Sequence, residues 1–423
     1  GPMGSTRRFV YDEASRLVSA TDSNSRTTTF SYDAAGNLVE KRLADGTTVA
    51  YDYDPAGRLT AVDDKIFPVR YTYNSAGLLE EIHYPAIHRR LRYAYDTGGR
   101  LARVADGNGY AAAYAYNDEG MLSRITPGRG RPITFAYDGK GRRNAMVYPN
   151  GITLKRTYDV LDRPVEITYT DAENRPIAGW RYAYDAAGDI VRITDHNGDS
   201  IQYRYDDDGR LVEERRTGAA RRYSYLPGGN RGTLNAGGET VRYRYDAADR
   251  LVEAGDEKFQ YDAAGNLLRR TGPKGATIYR YGSENQLIGA RLPDGRDVRF
   301  GYAPTGERIW RRDPQGTVHF VTDGTHLLTE LDEALTLQAA YLHGPGIDNP
   351  LVRRAAGETT YFHADHLGSI RALTDARGTL LAEYQTDAFG IPLGPAAAAS
   401  PFTYTGREYD TALGLYYYRQ RYY

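Results

Sequence analysis

One short motif, repeated along most of the chain, constrains what this polypeptide can fold into more than any other feature. An aromatic residue, one spacer, Tyr-Asp, two further residues and Gly recur with few substitutions in fifteen units. The motif tyrosines are Tyr11, Tyr32, Tyr53, Tyr73, Tyr95, Tyr116, Tyr137, Tyr158, Tyr184, Tyr205, Tyr225, Tyr245, Tyr261, Tyr281 and Tyr302. They stand 20 to 22 residues apart, except for one interval of 26 after Tyr158 and one of 16 after Tyr245.

Each position of the unit has a physical reading. Two residues before the tyrosine, fourteen of the fifteen units carry an aromatic residue, Arg156 being the exception. A spacing of two puts both rings on one face of a β-strand. The next residue is Asp or Asn in twelve units, a side chain suited to folding back on the backbone of a turn. Four residues after the tyrosine stands Gly in eleven units, with Asp162, Asp249, Asn285 and Ser15 in the others. Those residue types predict a turn position with positive φ. Units defined by Tyr32, Asp33 and Gly36, by Tyr53, Asp54 and Gly57, and by Tyr137, Asp138 and Gly141 show the pattern in full. Hairpin dipeptides such as Asp45-Gly46, Asp106-Gly107, Asn150-Gly151, Asn197-Gly198 and Asp294-Gly295 add a second turn mid-unit.

The chain is therefore predicted to be all-β, an antiparallel sheet of about fifteen hairpins. Strands stacked about 4.8 Å apart would make a ribbon on the order of 140 Å long. Strand twist forces such a ribbon to coil into a full or partial shell. Helical spacing shows only between Leu327 and Leu337. The long interval contains 171–176 and predicts a protruding loop; the short one predicts a clipped unit. Leu, Ile, Val and Phe make up only roughly 18% of the chain, against 38 tyrosines, so the core is expected to be built largely from tyrosine.

Composition also excludes function classes. Net charge is -1, with no basic excess to track phosphates, which argues against nucleic-acid binding. No run of 18 apolar residues spells a membrane helix, and none of the 423 residues is cysteine, so disulfides and thiolate metal sites are excluded. Gly1-Pro2-Met3-Gly4-Ser5 reads as a cloning remnant. Asp206, Asp207 and Asp208 occupy a repeated turn rather than a glycosidase pair, and Gly128-Arg129-Gly130 is a turn rather than a phosphate loop. His363, Asp365 and His366 could ligate zinc or iron in principle. Ligands normally come from two elements, however, and on an extended strand His366 points away from the other two. They are read as a structural strand and turn, with no metal and no cofactor expected. Tyr416, Tyr417 and Tyr418 break strict alternation and present rings on both faces.

The unit Tyr32-Asp33-Ala34-Ala35-Gly36-Asn37-Leu38 and its cousin Tyr53-Asp54-Pro55-Ala56-Gly57-Arg58-Leu59 resemble the YD repeats of Rhs proteins, teneurins and the C component of Tc insecticidal toxins. The C-terminal stretch is more specific. Tyr361-Phe362-His363-Ala364-Asp365-His366-Leu367-Gly368-Ser369 is similar to the family's D-x-L-G-S segment, followed in family order by Thr374-Asp375, Phe389-Gly390, Thr405-Gly406-Arg407, Asp410 and Gly414-Leu415-Tyr416. The resemblance divides the chain into a repeat array over residues 6–355 and a conserved segment over 356–423. It implies a coiled β-shell around a C-terminal toxin cargo, delivered or displayed by a bacterium, with no membrane insertion. In the family an aspartyl autoprotease motif follows the R-Y-Y that here ends at Tyr423, so no catalytic residue is carried over and the chain is expected to be non-enzymatic. Arg407 and Asp410 are implied to lie near that machinery. The alternative is an adhesion module that recognises a glycan or a cell-surface receptor through its aromatic residues.

Overall fold

The computed structural model describes residues 6–128, 130–394 and 400–423. The cloning remnant and Arg129 of the 128–130 turn lie outside them. Thirty-seven strands belong to one antiparallel sheet. Among the described residues the helical elements are the three-residue 3-10 turns Pro85–Ile87 and Tyr404–Gly406.

The sheet is a meander. Strand Arg8–Tyr11 pairs with Leu17–Thr21, which pairs with Thr27–Tyr32, then Leu38–Arg42, then Thr48–Tyr53, and so on. The predicted positive φ is present in all fifteen units, from Ser15 (61°) and Gly36 (89°) to Asp162 (63°), Asp249 (58°) and Asn285 (61°). The register slips by one residue just before the motif tyrosine, as between Ser31 and Tyr32 or Asp52 and Tyr53. That bulge turns the tyrosine inward over the preceding strand.

Three expectations need correcting. The stretch from Leu327 contains no helix. It is strand Leu327–Leu331, a turn with Leu335 at φ 62°, and the start of Leu337–His343. The 26-residue interval holds no long loop, because residues 171–175 close a turn of the usual size and the extra length lies in strands Pro164–Thr170 and Pro176–Tyr184. The motif tyrosines Tyr32, Tyr53 and Tyr137 are only half-buried; the largest fully buried side chains are mostly Ile and Leu, among them Leu91, Ile125, Ile167 and Ile370, joined by Tyr169, Tyr341 and Phe362. The 16-residue interval is indeed a clipped unit, with strands Leu251–Ala254 and Glu257–Tyr261.

The chain forms two compact units, each made of distant segments. The first comprises Gly1–Tyr110, Arg244–Gln338 and Tyr417–Tyr423. Within it, early turns meet late ones through polar side chains. Asn24 Nδ2 donates to Asp262 Oδ2 at 2.8 Å, Arg26 Nη1 to the Gly282 carbonyl at 2.8 Å, Lys41 Nζ to Glu284 Oε1 at 2.8 Å and Ser283 Oγ to Asp45 Oδ2 at 2.8 Å. The second unit comprises Ala111–Tyr243 and Ala339–Tyr416. Here distant strands meet through buried rings. Tyr148 Oη donates to the Phe362 carbonyl at 2.7 Å, and Tyr169 Oη both donates to the Ala364 carbonyl and accepts its N–H at 2.9 Å.

Candidate functional site

The repeat turn is one small machine copied along the chain. In the unit of Tyr53, Asp54 Oδ1 accepts the N–H groups of Ala56 and Arg58, and the Gly57 N–H closes the turn on the Asp54 carbonyl. The tyrosine hydroxyl then donates to the carbonyl of the leucine that opened the previous strand: Tyr53 to Leu38 at 3.0 Å, Tyr32 to Leu17 and Tyr137 to Leu122 at 2.8 Å. Each such bond to a backbone group contributes about 1 kcal/mol. Sequence reasoning missed the last part. Arg58 Nε donates to Asp54 Oδ2 at 2.7 Å, and its guanidinium stacks 4.6 Å from the ring of Tyr73 in the next unit. Arg142 does the same with Asp138 and Tyr158. The signal was present as the Arg that follows the turn glycine.

The stretch from Glu358 to Tyr416 carries a different set of contacts within the second unit. Strand Glu358–Ala364 runs into the turn 365–369 and returns as Ile370–Thr374. Asp365 Oδ1 accepts the N–H groups of Leu367 and Ser369, and Gly368 takes φ 80°, so D-x-L-G-S is the repeat turn in another dress. His363 is fully buried. Its Nε2 lies 2.8 Å from Thr374 Oγ1, its ring packs edge-on against Tyr148 and Tyr169, and burial pushes its pKa down to about 3. The His366 ring lies 4.5 Å from Tyr182, and burial again lowers its pKa. His363 thus sits apart in the buried ring cluster, while Asp365 and His366 border one cavity together with Tyr182 and Arg371. Leu367 stays half-exposed beside the turn.

A second stretch of the same segment straps onto this turn. The Ile370 N–H donates to the Thr403 carbonyl at 2.8 Å, and the Thr405 N–H to Ser369 Oγ at 3.0 Å. Gly406, at φ 69°, lies against the Asp348 backbone so closely that a methyl group there would run into its carbonyl oxygen. Arg407, buried, pairs its Nη1 with Asp348 Oδ1 at 2.6 Å. Asp410 accepts from Ala412 and Leu413, and the Gly414 N–H from the same turn reaches the Asp410 carbonyl. Leu415 then leads to Tyr416, whose hydroxyl donates to the Gly390 carbonyl at 2.9 Å. The structure therefore gathers residues 363–369, 406–407 and 416 into one assembly. Asp348, which no sequence motif singled out, anchors Gly406 and Arg407 within it.

Beside the turn opens a cavity of about 640 Å³, walled by Trp180, Tyr182, Tyr203, His366, Arg371 and Phe389. Asp387 also lines it. Burial, helped by the nearby Glu214 charge, raises the Asp387 carboxyl above the usual carboxylate range. Glu214 accepts the Ala388 N–H at 3.0 Å and Arg216 donates to the Thr386 carbonyl at 2.6 Å, which fixes the loop to the wall. Among the described residues no cluster of three His, Asp or Glu side chains is placed to hold a metal ion.

The model of the Teneurin YD-shell family matches residues 61–154 and 150–423, and that of the RHS repeat matches 11–48 and 32–65. The chain is 27% identical to double-stranded DNA deaminase toxin A of Burkholderia cenocepacia over 283 residues, which is 58% of this chain and 20% of that one. It is 30% identical to toxin protein Tse5 of Pseudomonas aeruginosa over 318 residues, 57% of this chain and 24% of the relative. The chain thus matches about a fifth to a quarter of the length of these relatives. A solved structure of the Tc holotoxin pore of Photorhabdus luminescens superposes with a TM-score of 0.84 at 15% identity, covering 99% of this chain and 25% of that one.

Proposed function

Because the chain belongs to the Teneurin YD-shell family, we propose that it is the wall of a protein container that encloses a toxin continuing from its C-terminus and helps deliver it. The observation that carries this reading is the strap. Residues 400–416 are held by Gly406 and Arg407 against Asp348, by Thr405 against Ser369 and by Tyr416 against Gly390, so any segment that follows starts near a fixed point on the array. The likeness of the relatives, both named as toxins, supports the cargo class. The wall itself does no chemistry in this reading: His363 is bonded to Thr374 among buried rings, and Asp365 and Asp387 hold the turns they open. The partner is the chain's own cargo, the setting is a secreted or delivered bacterial effector, and neither nucleic acid nor a bilayer is engaged by the wall.

Limited digestion with proteinase K, which needs no basic residue, of a chain that continues into the toxin tests this, with fragments followed by mass spectrometry under native conditions. Survival of the downstream segment while exposed turns such as 171–175 are nicked is the expected result. Immediate digestion of that segment would overturn enclosure. A second reading, a glycan-binding or cell-surface adhesion module, draws on the cavity that Trp180, Tyr182 and Tyr203 line. A glycan screen separates the two, because a container wall retains none. Incubation of this chain alone should leave it uncut, as expected of a wall without protease activity.

A further inference from the structure

The repeat keeps two positions apolar. Six residues after the motif tyrosine stands Leu or Ile in eleven of the fifteen units, and two residues before it stands an aromatic in fourteen. One stretch departs at both places, with Arg143 at the first and Arg156 at the second. The two arginines lie on the paired strands Arg143–Val147 and Thr153–Tyr158 of the second unit, and Arg156 stands opposite the fully buried Ile167. Burial keeps the hydroxyls of Tyr148 and Tyr169 neutral, and the charges of both arginines act against it, so the two guanidiniums border the same pair of rings.

These charges are unanswered. Arg143 Nη1 and Arg156 Nε are cut off from water with no hydrogen-bond partner, and among the described residues neither side chain is in an ion pair. The Asp365 carboxylate, which also acts on Tyr169, accepts bonds from its own turn and lies 3.8 Å from Arg371. Asn144 Oδ1 is likewise unpartnered, but a neutral amide answers neither charge. Arginine takes the leucine position in two more units, and there rings from the C-terminal stretch cover it. Arg231 stacks 3.9 Å from Phe389; Arg308 stacks 4.0 Å from Tyr417 and donates to Tyr422 Oη at 2.8 Å. Arg143 has the Phe135 ring at 5.8 Å. A buried guanidinium without a counter-charge is costly, and a pair of them costs more.

We propose that Arg143 and Arg156 form a binding site for an oxyanion, a carboxylate or a phosphate held between their two forks. Guanidinium N–H groups match the oxygens of either group, and an ionised acceptor makes these bonds strong. Both side chains are half-buried, so the rest of each fork stays within reach of a ligand. The site depends on no cargo, because both arginines and the rings beside them belong to the wall.

Isothermal titration of the full chain with inorganic phosphate, and separately with N-acetylglutamate, at constant ionic strength tests the proposal. Arg143→Leu and Arg156→Phe, which restore the residue types of the other units, should each weaken binding roughly tenfold, and the double variant should abolish it. Arg143→Lys with Arg156→Lys keeps both charges but loses the forks and should bind more weakly than the natural pair, which guards against a folding defect in the apolar variants. Binding of phosphate alone would assign the site to a free anion, and binding of N-acetylglutamate to an acidic side chain; either bears the proposal out. A chain that binds neither would overturn it, as would a double variant that binds as tightly as the unaltered chain.

Discussion

The two compact units solve the same problem with different proportions of polar and buried aromatic contacts. Each must hold repeats together that lie some 200 residues apart in sequence. The first does it mostly with side-chain amides, a guanidinium, an ammonium and carboxylates, the Lys41–Glu284 pair being typical, and adds one buried ring, Tyr84, whose hydroxyl donates to the Thr322 carbonyl at 2.9 Å. Burial would lower the Lys41 pKa, but the hydrogen bond and charge of Glu284 prevail and raise it. The second does it with Tyr148, Tyr169, Phe362 and His363, all almost wholly removed from water. Polar pairs near the surface contribute little each and are screened by salt, whereas buried rings contribute several kcal/mol and are not. The difference teaches that a repeat array need not close uniformly: the first unit closes partly on motif turn residues such as Asp262 and Gly282, the second on Tyr148, Phe362 and His363, which lie outside the motif.

The comparison can be broken most sharply at the dry closure. Tyr148→Ala removes a buried ring and its bond to Phe362, and should cost about 3–5 kcal/mol in a urea titration. Gly406→Ala comes next. It combines a left-handed backbone with a collision against Asp348 and should cost about 3 kcal/mol, against about 1 kcal/mol for Gly57→Ala, where φ is similar but the space is open. Paired melting curves of the two glycine variants check this; equal losses would remove Asp348 as the anchor.

Acid should act on the dry closure through His363. Its folded pKa is near 3, below the ordinary 6.5, so the folded protein keeps the ring neutral while the unfolded chain takes up a proton. Its contribution is therefore complete above pH 6.5 and declines as pH falls from 6.5 toward 3, by up to about 1.4 kcal/mol per pH unit. His363→Gln should flatten that part of the stability curve; an unchanged slope would show that other groups set it. At the polar contacts of the first unit the effects are smaller. Asn24→Ala should cost under about 1 kcal/mol, and Lys41→Met likewise, with the Lys41 loss shrinking in high salt. The smallest test lies in the repeat itself: Tyr53→Phe removes one hydroxyl bond to Leu38 and should cost about 1 kcal/mol.

Much of the repeat was legible because its constraints are local. Ser15, Asp162, Asp249 and Asn285 adopt positive φ as their position demands, and Asp33 and Asp54 fold back on their turns. The apparent helix from Leu327 misled because the turn 332–336 interrupts two strands at a spacing that mimics helical periodicity. The extra residues before Tyr184 became strand because Pro164 and Pro176 stand at strand starts, where a missing N–H does no harm. Of the candidate site, the turn chemistry of Asp365 and Gly368 was readable by analogy with the repeat. The meeting of Tyr148 with Phe362 and of Arg407 with Asp348 was not, since both depend on how far the sheet curls, which no local pattern encodes.

Native-state hydrogen exchange followed by mass spectrometry tests the contrast between the closures most directly. Peptides covering 22–26 and 262–285 should exchange ahead of those covering 146–148 and 361–364, and added salt should speed only the first set. Equal protection, or earlier opening of the Tyr148–Phe362 closure, would contradict it.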